Sequence, residues 1–128
     1  MDLVQRLGLS DRVLFAGFVP NAEMPPYYSA ASATLIPTRR REGTSLSALE
    51  SMACGTATVV TDVAGLKDVP ALKAQPEPED IARKLHLALD NRQELGQRQM
   101  QEVTSVFNLG NWEAAWLNVL NTLTCRAG

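Results

Sequence analysis

The chain has 128 residues, about one domain's worth and long enough to bury a core without disulfides or metals. Apolar residues make up 45% and charged residues 20%, a composition that excludes a disordered or fibrous chain. Twelve Lys and Arg against 14 Asp and Glu give a formal charge of −2. That charge argues against the basic face of a nucleic-acid-binding module.

The N-terminal residues 2–8 read as the end of a helix closed by Gly8. Residues 12–17 form a short apolar run and predict a first strand. Pro20 and Asn21 turn into a helix over residues 23–31, whose Pro25 and Pro26 fit only a first helical turn. Residues 33–37 predict a second strand, stopped by Pro37. A polar loop over residues 38–44 leads into a helix over residues 45–54, ended by Gly55. Residues 57–61, rich in β-branched side chains, predict a third strand, and residues 71–74 a weak fourth. Three helices follow. Pro78 suits a first turn, with Ile81, Leu85 and Leu89 forming a stripe. A polar helix covers residues 93–106. A last helix gathers Trp112, Ala115, Trp116, Val119, Leu120 and Leu123 on one face. Strands alternating with helices predict an α/β fold with a Rossmann-like parallel sheet flanked by helices. With no repeat and no linker, residues 1–128 form one domain.

Cys54 and Cys125 match no zinc spacing, so neither a metal nor a cofactor is expected, and a reducing compartment is implied. No apolar run approaches the ~18 residues of a membrane span, and Met1-Asp2-Leu3 does not open a signal peptide. A cytoplasmic protein is expected.

In open α/β sheets, ligands bind beyond the carboxyl ends of the strands. Here the best such place is the loop P-T-R-R-R-E-G-T-S-L-S-A-L-E, from Pro37 to Glu50. Free amides at a helix start favour an anion, and Gly43 lets a ligand approach the backbone. Thr44 and Ser45 offer hydroxyls for capping or contact, and Arg39, Arg40 and Arg41 add positive potential. Leu46, Leu49 and Ala53 would define the buried face of the helix, with Glu50 flanking it. A half-buried carboxylate needs donors, either arginines or ligand hydroxyls. From these residues alone, a capped helix beside a solvated arginine run is as good a reading as an anion site.

The stretch E-G-T-S-L-S-A-L-E-S-M-A-C-G-T-A-T-V-V-T-D-V-A-G-L resembles the donor-binding signature of retaining glycosyltransferases of family 4. L-G-L-S-D-R-V-L-F-A-G-F-V-P, Y-Y-S-A-A-S-A and L-I-P-T resemble the segments before it. The resemblance implies the C-terminal, donor-binding half of a GT-B fold and a nucleoside-diphosphate sugar as partner. By the same resemblance Glu42 would act on the donor by holding its sugar hydroxyls, as the catalytic carboxylate. Glu50 would accept from the ribose hydroxyls, and the amides of Thr44, Ser45 and Leu46 would face sugar and phosphate. Where the family often has G-F-G, this chain has G-T-S, and its D-V-A-G-L stands for a D-V-G-G-L-like loop. Arg39 and Arg41 either stand in for missing phosphate-binding cations or are solvated.

The family's first two strands, its diphosphate clamp and its acceptor-binding domain have no counterpart here, so the isolated chain is expected to transfer little or no sugar. In the family order 3-2-1-4-5-6 the absent strands are central, which leaves open edges. The first strand could then join the second directly, or two chains could pair as a homodimer through a sheet edge or the C-terminal helix. Trp112 and Trp116 would form an exposed patch in the second case and close the small core otherwise. His86 reads as structural or solvated, Cys54 as inert, and Tyr27 and Tyr28 as packing residues.

Overall fold

The computed structural model describes residues 2–41 and 43–124. Glu42 and Cys125 therefore lie outside the described residues. Three parallel strands, β1 (Thr34–Ile36), β2 (Thr58–Thr61) and β3 (Leu72–Ala74), pair in the order β1-β2-β3. Leu35 faces Val59, and Val60 faces Lys73 across the two ladders. Among the described residues six α-helices accompany them: α1 (Asp2–Arg6), α2 (Met24–Ala30), α3 (Leu46–Ala53), α4 (Pro78–Asp90), α5 (Arg92–Val106) and α6 (Leu109–Thr124).

The alternation of β2 divides the core into two layers. Val60 points to one face with Ala48 and Met52 of α3, Leu66, Val69 and Val103 of α5. Val59 points to the other with Ala88 of α4 and Leu95, backed by Leu35, Ile81 and Leu85. Successive strand residues address opposite faces, so a parallel sheet covered by helices on both sides follows. The run Thr58-Val-Val-Thr61 is buried throughout, as a central parallel strand must be. Helix α5 passes so close to the end of α3 that a Cβ on Gly96 would stand 2.2 Å from the Gly55 carbonyl oxygen.

Three sequence expectations change. Residues 12–17 form no strand. They pair with none of the three described strands, and Leu14 is 89% and Phe15 58% exposed. The direct join of first and second strands is therefore not formed, and β1 keeps an open edge. The buried face of α3 is Ala48, Ser51 and Met52, whereas Leu46 is 69% exposed and Ala53 also faces out. Ser51 goes inward because its hydroxyl donates to Thr34 Oγ1 at 2.8 Å and meets Thr58 Oγ1 at 2.9 Å. Of the two placements left open for Trp112 and Trp116, the exposed one is found. They lie 6.1 Å apart and are 60% and 51% exposed, on a helix whose described side chains are all exposed.

Candidate donor site at the carboxyl edge of the sheet

Loops leaving the carboxyl ends of β1 and β2 meet over the start of α3. Thr61, the last residue of β2, donates its hydroxyl to the carbonyls of Ile36 and Thr38, tying the arginine loop to the sheet. After β2 the chain makes a 3-10 turn over Ala64–Asp68. This turn leans on the other loop: a Cβ at Gly65 would lie 2.6 Å from Gly43 C and O and 3.0 Å from Thr44 N. Glycine at position 65 thus sets the closest approach of the two loops. Lys73 of β3 holds the turn from below, its ammonium donating to the carbonyls of Leu66 and Val69. Burial pushes the Lys73 pKa down from its ordinary value, against the opposing pull of Asp62 and Asp68.

Ser45 is the N-cap of α3, buried, with its Oγ accepting from Ala48 N at 3.4 Å. Its hydroxyl therefore caps the helix, and its backbone faces the loop. Gly43, Thr44 and Leu46 are exposed beside it, as are Arg39, Arg40 and Arg41. A helix start is electropositive, because its first backbone amides have no partner within the helix.

Glu50 lies just over one turn into α3, half-buried. It borders a cleft of about 410 Å³ whose other walls include Gly17, Phe18, Val19, Tyr27, Tyr28 and Ser47. Tyr28 Oη donates to Glu50 Oε2 at 3.2 Å. Burial raises the Tyr28 phenol above its usual pKa, a rise opposed by the Ser47 hydroxyl and reinforced by the Glu50 charge. Tyr28 itself is only 7% exposed, and its carbonyl accepts from Thr56 Oγ1 at 2.6 Å.

Of the residues picked out from sequence, Gly43, Thr44, Ser45, Leu46 and Glu50 thus gather at one helix start, with Arg39 and Arg41 on the loop leading to it. The Tyr28–Glu50 pair went unread, since Y-Y gives no hint which ring turns inward. The signal available was the spacing of Tyr28 from Met24, also partly buried on α2. His86 is exposed, and Cys54 is a half-buried free thiol. Among the described residues no helix is long and apolar enough to cross a membrane. Nor do three His, Cys, Asp or Glu side chains among them gather to hold a metal.

The fold is that of part of a GT-B glycosyltransferase. Sucrose-phosphate synthase from Thermosynechococcus elongatus superposes with a TM-score of 0.82 at 29% identity, over 99% of this chain and 34% of that one. HepE from Anabaena, solved in complex with UDP, superposes with the same TM-score at 20% identity, over 94% of this chain and 35% of that one. The family described as "Glycosyl transferases group 1" matches residues 1–91, and the chain belongs to that family. D-inositol 3-phosphate glycosyltransferase of Thermobifida fusca (strain YX) is 37% identical over 91 residues, 66% of this chain and 21% of that protein. 2-Deoxystreptamine glucosyltransferase of Streptomyces kanamyceticus is 36% identical over 94 residues, 69% of this chain and 24% of that protein. The chain therefore spans about a quarter or less of the length of these relatives. The family match ends between α4 and α5, at residue 91, so all of α5 and α6 join the fold through the structural superposition.

Proposed function

We propose that the chain binds the nucleoside-diphosphate portion of a sugar donor across the start of α3. In this reading Glu50 accepts from the ribose hydroxyls, and the amides of Thr44, Ser45 and Leu46 take the diphosphate and sugar. Gly43 gives the backbone access, Glu42 holds sugar hydroxyls, and Arg39 and Arg41 supply positive potential. The observation that carries it is the placement of Glu50: a half-buried carboxylate bordering a cleft, just over one turn into a helix that starts at the carboxyl edge of a parallel sheet. Carboxylates suit vicinal hydroxyls because each oxygen accepts a hydrogen bond, and helix starts suit phosphate. The UDP in HepE and the glycosyl-transfer names of the sequence relatives support the same ligand class.

For the 128-residue chain by itself we expect binding without transfer. The resemblance assigns the diphosphate clamp and the acceptor-binding domain to segments this chain does not contain, and charge leaving onto a diphosphate needs preorganised cations. The test is calorimetric or NMR titration with UDP, GDP, ADP and their sugars. Saturable binding should weaken about tenfold or more in Glu50→Gln, the scale of a lost hydrogen bond to a charged group. Absence of binding at millimolar ligand would overturn the reading. Self-association belongs to the same proposal, favoured by the exposed Trp112 and Trp116 and the open edge of β1, with a second copy of this chain as the partner.

A further inference from the structure

A glutamate can present its carboxylate in many orientations, and two adjacent ribose hydroxyls are met well by only one. Fixing such a side chain on binding costs affinity in lost rotamer freedom. In this chain one carboxylate oxygen of Glu50 is already engaged by the Tyr28 hydroxyl at 3.2 Å. The tyrosine is in turn fixed at its backbone, where its carbonyl accepts from Thr56 Oγ1 at 2.6 Å. Thr56 follows the end of the very helix that carries Glu50. Tyr28 is thus tied to α3 twice, once at its carboxylate and once past its C-terminus. The proline pair Pro25-Pro26 sits in the first turn of α2, which stiffens the helix start from which Tyr28 projects.

We infer that Tyr28 is a positioning residue for the donor site: its hydroxyl holds one oxygen of Glu50 so that the remaining acceptor capacity faces the cleft and meets a ribose diol. The inference rests on the donor-site reading above. A carboxylate offers about four lone-pair sites on two oxygens, so one bond to Tyr28 leaves enough for both ribose hydroxyls. Because Tyr28 is buried and supplies a neutral donor, it orients the carboxylate without cancelling its charge. It also selects for ribose over deoxyribose, since only the full diol uses the orientation it enforces.

The experiment compares wild type, Tyr28→Phe, Glu50→Gln and the double variant by titration with a ribonucleoside diphosphate and its 2′-deoxy counterpart. Phenylalanine keeps the buried ring and removes only the hydroxyl. Tyr28→Phe should weaken the ribonucleotide about three- to tenfold, the fold-change of one newly mobile side chain, and the deoxynucleotide less than about twofold by the same principle. In the Glu50→Gln background Tyr28→Phe should have no further effect. Equal weakening of both nucleotides, or additive effects in the double variant, would reduce Tyr28 to a packing residue and overturn the inference. Wild-type binding that depends on Glu50 but is unchanged in Tyr28→Phe would overturn it alone and leave the donor site standing. A wild type that binds neither nucleotide would remove the donor-site reading, and this role with it. A tyrosine titration by NMR then tells whether the pair itself exists, because Glu50→Gln should lower the Tyr28 midpoint.

Discussion

Ala64 opens the turn over the site with φ +44°, in the left-handed region where a Cβ costs roughly 1–2 kcal/mol. One residue on, Gly65 has no room for any side chain because the Gly43–Thr44 backbone passes at its Cα. Two adjacent positions therefore predict opposite outcomes. Ala64→Gly should stabilise the fold by up to about 1 kcal/mol, relief of strain less the added chain entropy. Gly65→Ala should cost about 1–3 kcal/mol, the usual penalty of overpacking, and weaken any ligand held between the loops. Chemical denaturation of both variants settles the pair. The family resemblance points the same way, since its motif has glycine at both positions.

Helix α5 contributes an element-scale device. Gln99, fully buried, accepts from Thr58 N at 2.8 Å and donates to Thr58 O at 2.9 Å. The β2–β3 ladder begins only at Val59, so a side-chain amide serves Thr58 on the side where β3 does not reach. Gln99→Leu would leave a buried amide and carbonyl without partners, at about 1–3 kcal/mol each; a loss of roughly 3 kcal/mol on denaturation is expected. At the start of α4, Asp80 accepts from Gln75 N at 2.7 Å and from Arg83. The Gln75 amide, then Arg83, hold the Asp80 carboxyl below its ordinary pKa. A depressed carboxylate pKa stabilises the fold above the ordinary carboxylate range, and that contribution is lost as pH falls through the depressed value. The gap in melting temperature between wild type and Asp80→Asn should accordingly be present at neutral pH and close in strong acid.

At the scale of the whole molecule, two stretches of the described residues expose apolar side chains. One is the unpaired segment carrying Leu14, Phe15 and Phe18; the other is α6, with Leu109, Trp112, Trp116, Leu120 and Leu123 all exposed. Contiguous apolar surface of this kind marks an interaction site or an aggregation liability. If a second copy covers α6, sedimentation should give a concentration-dependent dimer, and tryptophan emission should shift to the blue as it forms. Trp112→Glu together with Trp116→Glu should return the chain to monomer without loss of the α/β core, because both residues are mostly exposed and stand outside its two buried clusters. A dimer that survives both substitutions would move the interface to the β1 edge or to residues 13–18.

The elements that sequence determined are those whose signals are local. Gly55 after α3, Pro37 after β1, Pro78 at the start of α4 and the run Thr58–Thr61 each fixed an element through chain stiffness or β-branching. The family followed from the ordered segments around E-x7-E. What only the tertiary structure decided depends on partners distant in sequence. Whether residues 12–17 make a strand depends on a neighbouring strand to bond with, and none of the three described strands lies beside them. Which face of α3 goes inward depends on Thr34 and Thr58 waiting for the Ser51 hydroxyl, an attraction that a hydrophobicity pattern does not register. The Tyr28–Glu50 pair spans 22 residues and the Gln99–Thr58 clamp 41. Neither leaves a mark on local periodicity, because a hydrogen bond between distant residues is created only when packing brings the two groups together.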